Sequence, residues 1–582
     1  MLPFRWSLLE PEDPSVVERL VQWLNVSPAL ARSLALRGVQ SFEQARRFFR
    51  PGQDGLFDPF LMRDMDRAAR RLASAVRRSE PVLVYGDYDV DGTTATAMMY
   101  TFLKALGVPA SYFVPSRYRE GYGLSLAGIE RAEALRARLI VALDCGITAH
   151  EEAREARRRG MELIICDHHE PGPVLPEAVA VLNPKRPDCP YPFKELTGCG
   201  VGFKLMQATL MELGLDPSWA NEYLDLVAVS TASDIVPLLD ENRILMRLGL
   251  EQLNAAPRPG LRALIERAGL RLGELTTQQI VYVIGPRINA AGRMGDAEVA
   301  VKLLIARSPQ EAAPLAELLE GLNRQRRELD ERTHEEALQL AEEELIARGY
   351  RGLVLHRPHW PLGVIGIVAS RIVERFYRPT ILLTTVEGVA KGSARSIDGY
   401  DLFAAIKACE GLLLQFGGHK YAAGMSLEPR NVPALRERFN AVVSETLDEA
   451  LLVPELRIDA PLKLTDITPR FWKVLKQFAP YGPQNPPPLF VAEQVQVRSV
   501  PSIVGSGHLK FAVQQADGPV FEAIGFQMHE FFPIVRQARE GKPLAIVFSI
   551  EENQFNGITS LQLRLRDLRL QEKGKSLWGG AR

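Results

Sequence analysis

With 582 residues, the chain is too long for a single hydrophobic core, and we expect three or four domains. Its formal net charge of −1 excludes a globally basic nucleic-acid-binding protein, so any contact with nucleic acid must come from local patches. Five cysteines without a Cys-x-x-Cys pair, no apolar run long enough to span a membrane and no N-terminal signal sequence together predict a cytoplasmic protein without a disulfide framework, zinc ribbon or membrane span.

The predicted elements divide the chain into six segments. Short apolar strands alternate with amphipathic helices in two of them, which predicts α/β domains, and the first has a mostly parallel sheet. A charge-dense helical stretch between these domains predicts a long exposed helix that joins two lobes. The segments are an N-terminal helical segment (1–75), the larger α/β domain (76–305), the connecting helix (306–350), a smaller α/β domain (351–452), a small β-barrel (455–570) and a disordered tail (571–582).

Three aspartates alternate directly behind the first apolar strand of the larger α/β domain, in the run Pro-Val-Leu-Val-Tyr-Gly-Asp-Tyr-Asp-Val-Asp-Gly at 81–92. In extended backbone, residues two apart share a face, so Asp87, Asp89 and Asp91 would crowd three carboxylates together. Like charges this close repel one another unless a cation neutralises them. The run therefore predicts a metal site.

Further acidic and imidazole residues fall at strand ends or loop starts, namely Asp144, Asp167, His168, His169 and Asp234. The carboxyl ends of parallel strands converge on one crevice, so these groups would meet the aspartate triplet there. Oxygen-rich ligation with one imidazole suits two hard divalent ions such as Mn²⁺ or Mg²⁺, the arrangement used for in-line phosphoryl hydrolysis. Asp144 would bridge the ions, and the adjacent histidines would diverge, so that one binds metal while the other faces the substrate phosphate.

Two other interpretations of the triplet compete with the metal site. Asp-x-Asp-x-Asp-Gly also opens an EF-hand loop, but the twelfth position would be Met98 instead of the required glutamate, and a strand precedes it. Polar residues at strand ends also serve as caps and turns. That would explain any single aspartate, but not several such positions on one predicted sheet edge.

The ordered motifs resemble the DHH phosphoesterase superfamily and, within it, the RecJ family of single-strand-specific exonucleases. The motifs that carry the resemblance are Asp-Tyr-Asp-x-Asp-Gly-x-Thr (87–94), Asp-Cys-Gly (144–146), Asp-His-His (167–169), Ala-Ser-Asp-Ile-Val-Pro (232–237), and the runs at 285–294, 363–371, 391–396 and 417–424. The resemblance implies degradation of single-stranded DNA from the 5′ end with Mn²⁺ or Mg²⁺, in recombination and repair. It also implies a DHH domain, a long helix, a DHHA1 domain and an oligonucleotide-binding (OB) barrel, in a monomer whose partners include a single-strand-binding protein and a helicase.

The resemblance also implies roles for individual residues. The metal ligands are Asp87, Asp89, Asp91, Asp144, His168 and Asp234, with Asp87 either a ligand or an orienting group, and the catalytic residues are His169, Asp144 and Asp91. Arg293, Ser393 and Arg395 form a pocket for the terminal 5′-phosphate, which the planar arginine fork suits. His419 is a phosphate contact, and Arg117 and Tyr122 bind the strand, although Tyr122 could instead be ordinary core.

In the barrel, five residues mix aromatic and basic character, and we expect about half of them to be core. They are Phe490, His508, Lys510, Phe526 and Phe555. Two other functions stay open from the sequence. A phosphodiesterase for short oligonucleotides or cyclic dinucleotides, from the same superfamily, would usually lack the barrel. A non-catalytic DNA-binding scaffold would have lost metal ligands that this chain retains.

Overall fold

The computed structural model describes residues 4–555 and 557–577. The N-terminal segment does not form a unit of its own, because its elements pack on two different domains. Its elements are β1 (Arg5–Leu8), α1 (Ser15–Leu24), α2 (Pro28–Ala35), α3 (Phe42–Phe49) and α4 (Met65–Arg78). The apolar faces of α1 to α3 are buried in the core of the C-terminal barrel, whereas α4 packs into the core of the larger α/β domain.

The larger α/β domain is built on a five-stranded sheet in the order β3-β2-β4-β5-β6, with every strand pair parallel. The strands are β2 (Val82–Tyr85), β3 (Ala110–Phe113), β4 (Leu139–Leu143), β5 (Glu162–Cys166) and β6 (Ala180–Leu182). Helices cover both faces, so β2 and β4 are apolar and fully buried. The strand order reverses between β2 and β4, and the crevice beyond their carboxyl ends is where such sheets bind ligands.

Helices complete this domain and connect it to the next. They are α5 (Val90–Ala105), α6 (Leu126–Ala134), α7 (His150–Arg158), α8 (Gly198–Glu212), α9 (Leu224–Ser233), α10 (Asp240–Ala255), α11 (Pro259–Arg267), α12 (Thr277–Gln279), α13 (Gly285–Met294), α14 (Glu298–Leu304) and α15 (Pro309–Glu342). The long helix α15 ends in a π-helical turn, Glu343–Ala347. The sequence predicts an exposed helix here, but α15 buries a stripe that includes Ala312, Ala316 and Leu319. Within the described ranges, we find no helix with the length and apolarity needed to cross a membrane.

The smaller α/β domain contains a mixed sheet in the order β10-β11-β9-β8-β7. Its elements are β7 (Leu353–His356), α16 (Leu362–Phe376), β8 (Thr380–Val386), β9 (Val389–Arg395), α17 (Leu402–Lys407), β10 (Gln415–His419), β11 (Ala422–Leu427) and α18 (Val432–Thr446). Helix α16 packs against α15, so the connecting helix is part of both lobes. The glycine-rich run at 417–424 is a β-hairpin.

The C-terminal domain is a barrel that closes through pairing of β14 with β16. Its elements are β12 (Glu455–Ile458), β13 (Ala460–Pro461), α19 (Pro469–Leu475), β14 (Phe490–Val497), β15 (Ser502–Val504), β16 (His508–Gln514), β17 (Phe521–Gly525), α20 (Phe532–Arg539), β18 (Leu544–Phe555) and β19 (Ile558–Leu570). Strand β1 pairs in parallel with β12. Part of the predicted disordered tail is ordered against this domain, since the Gln494 side chain donates to the carbonyls of Glu572 and Lys575. The remainder, 578–582, lies outside the described residues.

Arg243 of α10 fixes the barrel and the N-terminal helices to the larger α/β domain. Its guanidinium is buried and donates to the carbonyl oxygens of Phe48, Gln477, Phe478, Ala479 and Pro480 at 2.9–3.3 Å. It also stacks on the Phe48 ring at 4.0 Å. Because one side chain satisfies so many buried carbonyls, the contact between these parts of the molecule is specific in position.

Candidate metal centre and nucleic-acid cleft

The aspartate triplet lies in the turn from β2 into α5, and its three side chains do not share one face. Asp89 is the N-cap residue of α5 and accepts a hydrogen bond from the Gly92 amide at 3.0 Å, so Asp91 already belongs to the first helical turn. The expectation of an extended run is therefore wrong beyond Asp89. The triplet divides between two clusters of potential ligand atoms: Asp87 and Asp89 lie with Asp144, whereas Asp91 lies with His168 and Asp234.

Asp91 is held in place by the amino end of α8. The backbone amides of Gly198 and Cys199 donate to its two carboxylate oxygens at 2.6 and 2.8 Å, and the Ser230 hydroxyl donates at 2.6 Å. Helix α8 approaches this closely because residue 198 is glycine: a Cβ there would lie 2.6 Å from the Asp144 Cα. Sequence reasoning assigned no role to Ser230 or to these amides, because they meet Asp91 only through the folded chain.

Asp144, His168 and Asp234 converge on the same crevice from three different elements. The Nε2 atom of His168 lies 3.2 Å from Asp144 Oδ1, 3.6 Å from Asp234 Oδ2 and 3.7 Å from Asp91 Oδ2. Two backbone positions beside the centre adopt positive φ without being glycine, Asp144 at 62° and Ile235 at 61°. Such strain persists only where the surrounding structure imposes it, and it is common at functional sites.

The donor set fits divalent cations. Four buried atoms that face this crevice have no hydrogen-bond partner among the described residues: Asp87 Oδ1, Asp144 Oδ1, His168 Nε2 and Asp234 Oδ2. Leaving carboxylate oxygens buried and unpaired is costly, and a cation would satisfy them. Carboxylates with one imidazole suit Mn²⁺ and Mg²⁺, and Asp144 of one cluster lies 3.2 Å from His168 of the other.

The pKa shifts of residues in the crevice also favour a bound cation. Burial raises the pKa of Asp87, Asp144 and Asp234 well above the usual range, and neighbouring aspartates raise it further. Burial also lowers the pKa of His168 to about 4, which favours the neutral imidazole that can bind a metal. Carboxylates crowded in this way are destabilised by one another, which a bound cation would reverse.

His169 lies beside His168, with the two ring centres 4.5 Å apart, but its side chain is more exposed. Its Nδ1 atom lies 2.7 Å from the buried Asp167 Oδ1, and Asp167 also accepts from the backbone amides of Ile147 and His168. Burial alone would lower the pKa of His169 and raise that of Asp167. Their contact outweighs burial, so the pKa of His169 is raised and that of Asp167 is lowered to about 2. His168 is therefore buried among the carboxylates, whereas Asp167 holds the more exposed His169, and a third cluster of potential ligand atoms joins Asp144, His168 and His169.

A cleft of about 680 Å³ lies between the two α/β domains, and Tyr122 connects it to the carboxylates, because its ring lines the cleft and its hydroxyl donates to the Asp144 carbonyl. Arg117, Tyr122 and Arg293 line it from the larger domain, and Ser393 and Arg395 line it from the smaller one. Five of the six residues predicted to contact nucleic acid therefore meet in one cavity. The sixth, His419, is exposed on β10 near that cavity, where its pKa is lowered by burial and by the charge of Arg395.

The three arginines of the cleft share one feature, which is that none of them forms a salt bridge within the described ranges. The Nε atom of Arg117 is also buried without a hydrogen-bond partner there. Arg117 instead stacks on Tyr88 at 4.1 Å, and Arg395 donates to the Ser393 hydroxyl at 2.9 Å. Burial, and then the charge of Arg117, lowers the pKa of Arg293 to about 10. Unpaired guanidinium groups this close to one another favour a bound anion.

On the barrel, the structure separates the aromatic residues. Phe490 is fully buried and packs against Phe471 and Phe548, so of the five it is one that belongs to the core. Phe526 is 42% exposed, and its ring lies 5.0 Å from His508. Lys510 pairs with Glu522, and the Phe555 side chain lies outside the described residues.

Sequence reasoning missed Arg564, whose guanidinium covers the Phe526 ring at 4.8 Å. The signal was the alternation of Arg564 and Arg566 with leucines, a pattern that predicts a strand with both arginines on one face.

Family comparisons agree with this arrangement. The DHH family, N-terminal domain, matches residues 81–231, the DHHA1 domain matches 349–445 and the RecJ OB domain matches 458–567. The single-stranded-DNA-specific exonuclease RecJ of Bacillus subtilis (strain 168) is 37% identical over 99% of this chain and 72% of its own length. That of Escherichia coli (strain K12) is 37% identical over 92% of this chain and 95% of its own length. The chain belongs to the RecJ family.

RecJ from Thermus thermophilus, in a crystal structure in complex with Mn²⁺, has a TM-score of 0.82 and 32% identity to this chain. The match covers 98% of this chain and 80% of that one. These matches confirm the predicted fold class of a RecJ chain: a parallel-sheet DHH domain, a long helix, a DHHA1 domain and an OB-type barrel. The Thermus protein has also been crystallised in complex with Mg²⁺, which agrees with the predicted Mn²⁺ or Mg²⁺.

Proposed function

We propose that this chain is a single-stranded-DNA-specific exonuclease that degrades its substrate from the 5′ end with two divalent cations. The observation that carries the proposal is that two sets of charged groups without partners lie near one another. Among the described residues, buried carboxylate oxygens have no hydrogen-bond partner, and the arginines of the neighbouring cleft form no salt bridge. A phosphodiester strand with bound Mn²⁺ or Mg²⁺ would be a partner for both.

The ligand clusters suggest how the ions would be held. Asp87, Asp89 and Asp144 would hold one ion, and His168 and Asp234 would hold the other with Asp91, while Asp144 would bridge them. The unpartnered Oδ1 of Asp87 favours a ligand role for this residue over an orienting one. When bound, two such ions supply a nucleophile at neutral pH and neutralise the charge that develops on the phosphate.

The remaining residues of the cleft bind and orient the strand. Arg293, Ser393 and Arg395 would receive the terminal 5′-phosphate, because guanidinium groups make bidentate contacts with phosphate oxygens. His169, whose ring Asp167 holds, would donate to a non-bridging oxygen of the scissile phosphate as charge builds there. On the barrel, exposed Phe526 under Arg564 would stack a base and hold the backbone.

The wider biology of the chain is part of the same proposal. Membership of the RecJ family supports a role in DNA recombination and repair. We further propose a cytoplasmic monomer that works with a single-strand-binding protein and a helicase. These partners would supply and hold the single strands that the exonuclease degrades.

The test is digestion of single-stranded DNA with its 5′ or 3′ end blocked, with and without Mn²⁺. We expect hydrolysis only with Mn²⁺ and only from a free 5′ end. Asp144→Ala should keep strand binding but lose at least ~1,000-fold in rate, since metal stabilisation of the transition state is worth several kcal/mol. Mn²⁺ should also raise the unfolding temperature of the wild type but not of this variant.

Three results would contradict the proposal. Cleavage of dinucleotides alone would indicate a small-substrate phosphodiesterase. Strand binding without hydrolysis in Mn²⁺ would indicate a non-catalytic scaffold. Wild-type turnover by Asp144→Ala would show that the bridging assignment is wrong.

A further inference from the structure

Tyr122 lies in the loop between β3 and α6, and the two ends of its side chain have different surroundings. The residue is 53% exposed, and its ring lines the cleft beside Arg117 and Arg293. The hydroxyl end reaches past the cleft wall to His169 and to the backbone of Asp144. The strand-binding role that the sequence predicts uses only the ring, so the hydroxyl contacts need a separate explanation.

These contacts hold the edge of the His169 imidazole. The Tyr122 hydroxyl lies 3.0 Å from His169 Nδ1 and 3.2 Å from Nε2, and it donates to the Asp144 carbonyl at 3.3 Å. Since Nδ1 is already within 2.7 Å of Asp167 Oδ1, the hydroxyl provides a second point of contact on the ring. One contact leaves an imidazole free to rotate about it, whereas two contacts fix the ring plane.

The backbone on either side of Tyr122 is fixed by hydrogen bonds, whereas its ring is open to the cleft. The Gly121 amide donates to the Ser116 carbonyl at 3.0 Å, and the Gly123 carbonyl accepts from the Tyr85 hydroxyl at 2.8 Å. The part of Tyr122 that a bound strand can restrain is therefore its side chain. A base that packs on the ring would restrict the same side chain whose hydroxyl contacts His169.

We propose that Tyr122 is a positioning residue that couples strand binding to hydrolysis, because a base on its ring fixes the hydroxyl that orients His169. This inference rests on the proposed function, specifically on the role of His169 at the phosphate. Without a strand, the exposed Tyr122 side chain is free to turn its hydroxyl away and leave the imidazole on Asp167 alone. With a strand on the ring, the imidazole stays held at two points, so full activity requires a strand that reaches Tyr122.

The test removes the Tyr122 hydroxyl in one variant and the whole aromatic ring in another. Removal of the hydroxyl is tested both with and without His169. Tyr122→Phe and Tyr122→Leu are made in the wild type, and Tyr122→Phe is also combined with His169→Ala. Turnover is measured with Mn²⁺ on 5′-phosphorylated oligothymidylate, and strand affinity is measured in chelator. Tyr100→Phe is the matched control, since it removes a hydroxyl from a tyrosine on α5 whose ring packs against Tyr112.

We expect Tyr122→Phe to lower kcat roughly tenfold or more while affinity changes less than about twofold, because a misplaced catalytic group costs rate and not binding. Tyr122→Leu should lose both rate and affinity. In the His169→Ala background, Tyr122→Phe should change kcat by less than about twofold, because the two residues act as a unit. Tyr100→Phe should behave as the wild type.

The outcomes distinguish this inference from the proposed function. If His169→Ala keeps wild-type kcat, the role proposed for His169 is wrong. If His169→Ala is slow but Tyr122→Phe is fully active, or if Tyr122→Phe slows both backgrounds by the same factor, only the positioning role is overturned. An affinity loss without a change in kcat would reduce Tyr122 to a strand contact.

Discussion

At the scale of single residues, the site consists of groups that are unfavourable without their ligands. Asp144 and His168 present buried atoms without hydrogen-bond partners among the described residues. Burial, and then the charge of Arg117, lowers the pKa of both Arg293 and Arg395. The carboxylates carry negative charges that a cation would neutralise, and the arginines carry positive charges that a phosphate would neutralise. The free protein therefore gives up stability to keep the site ready for cation and phosphate.

Arg395→Gln tests the phosphate side of this balance. We expect hydrolysis of 5′-phosphorylated single strands to fall roughly 10- to 100-fold, since a charged hydrogen bond is worth about 1.5–3 kcal/mol. Strands with a 5′-hydroxyl should be affected little. The variant should also unfold at a higher temperature, because one of three repelling charges is gone. Kinetics on the two substrates and thermal melts measure these effects.

Arg430→Gln is the control for that experiment, since Arg430 is an exposed arginine of the same domain that pairs with Glu428. It should leave both substrates unchanged. An equal loss on phosphorylated and hydroxyl ends in Arg395→Gln would show that this guanidinium does not recognise the terminal phosphate.

At the scale of elements, the metal centre depends on how closely helices meet strand ends. The turn from β2 into α5 divides the aspartates between two clusters, and the amino end of α8 fixes Asp91 through the Gly198 and Cys199 amides. These positions depend on backbone approach, which tolerates little change in side-chain volume.

Gly198→Ala tests how closely α8 must approach Asp144. The new methyl would lie 2.6 Å from the Asp144 Cα, so α8 or the loop after β4 must move. A shift of about 1 Å at a catalytic ligand costs on the order of 100-fold in rate. We expect a loss of that size together with weaker Mn²⁺ binding, measured by calorimetry. Gly321→Ala, in α15 with open space around its Cβ, should keep full activity.

The end of α15 provides a pH-dependent contribution to stability. Glu344 is buried in the terminal π-helical turn and pairs with Arg436 at 2.7 Å. Burial raises its pKa from 4.5 to about 7, against the opposing charge of Arg436. Below pH 4.5 the group is protonated in both folded and unfolded chains, whereas above pH 7 the folded state must keep a buried carboxylate.

Glu344→Gln should therefore gain stability relative to the wild type as the pH rises from 4.5 to 7. Urea midpoints at several pH values measure the difference. Glu445→Gln, which changes an exposed glutamate on α18, serves as the control and should show no such trend. A difference between Glu344→Gln and the wild type that stays constant over this pH range would disprove the assignment.

At the scale of the whole molecule, two contacts set the arrangement of the domains. Arg243 attaches the barrel and the N-terminal helices to the DHH domain through backbone carbonyls. Arg293 donates to the Gly363 carbonyl at 2.9 Å, and Tyr118 donates to the Arg293 carbonyl, so a residue of the proposed phosphate pocket also joins the two catalytic lobes.

Arg243→Met tests the attachment of the barrel. The change leaves several buried carbonyls unpaired, and loss of one partner from a buried charged network costs about 3–5 kcal/mol. We expect a lower unfolding temperature and faster proteolysis between the DHH domain and the barrel. Arg247→Met, one turn further along α10 and partly exposed, is the control. Equal effects of the two variants would mean that Arg243 has no special role.

The sequence by itself determined the chemistry of the site and the succession of domains, because residue type, periodicity and motif order are local properties of the chain. It could not determine that Asp91 separates from the other two aspartates where α5 begins. It also could not determine that Phe490 lies in the barrel core or that the N-terminal helices cover the barrel. These features depend on contacts between residues far apart in sequence. Only the tertiary structure brings Ser230 to Asp91 and Tyr122 to His169, because packing decides which side chains meet.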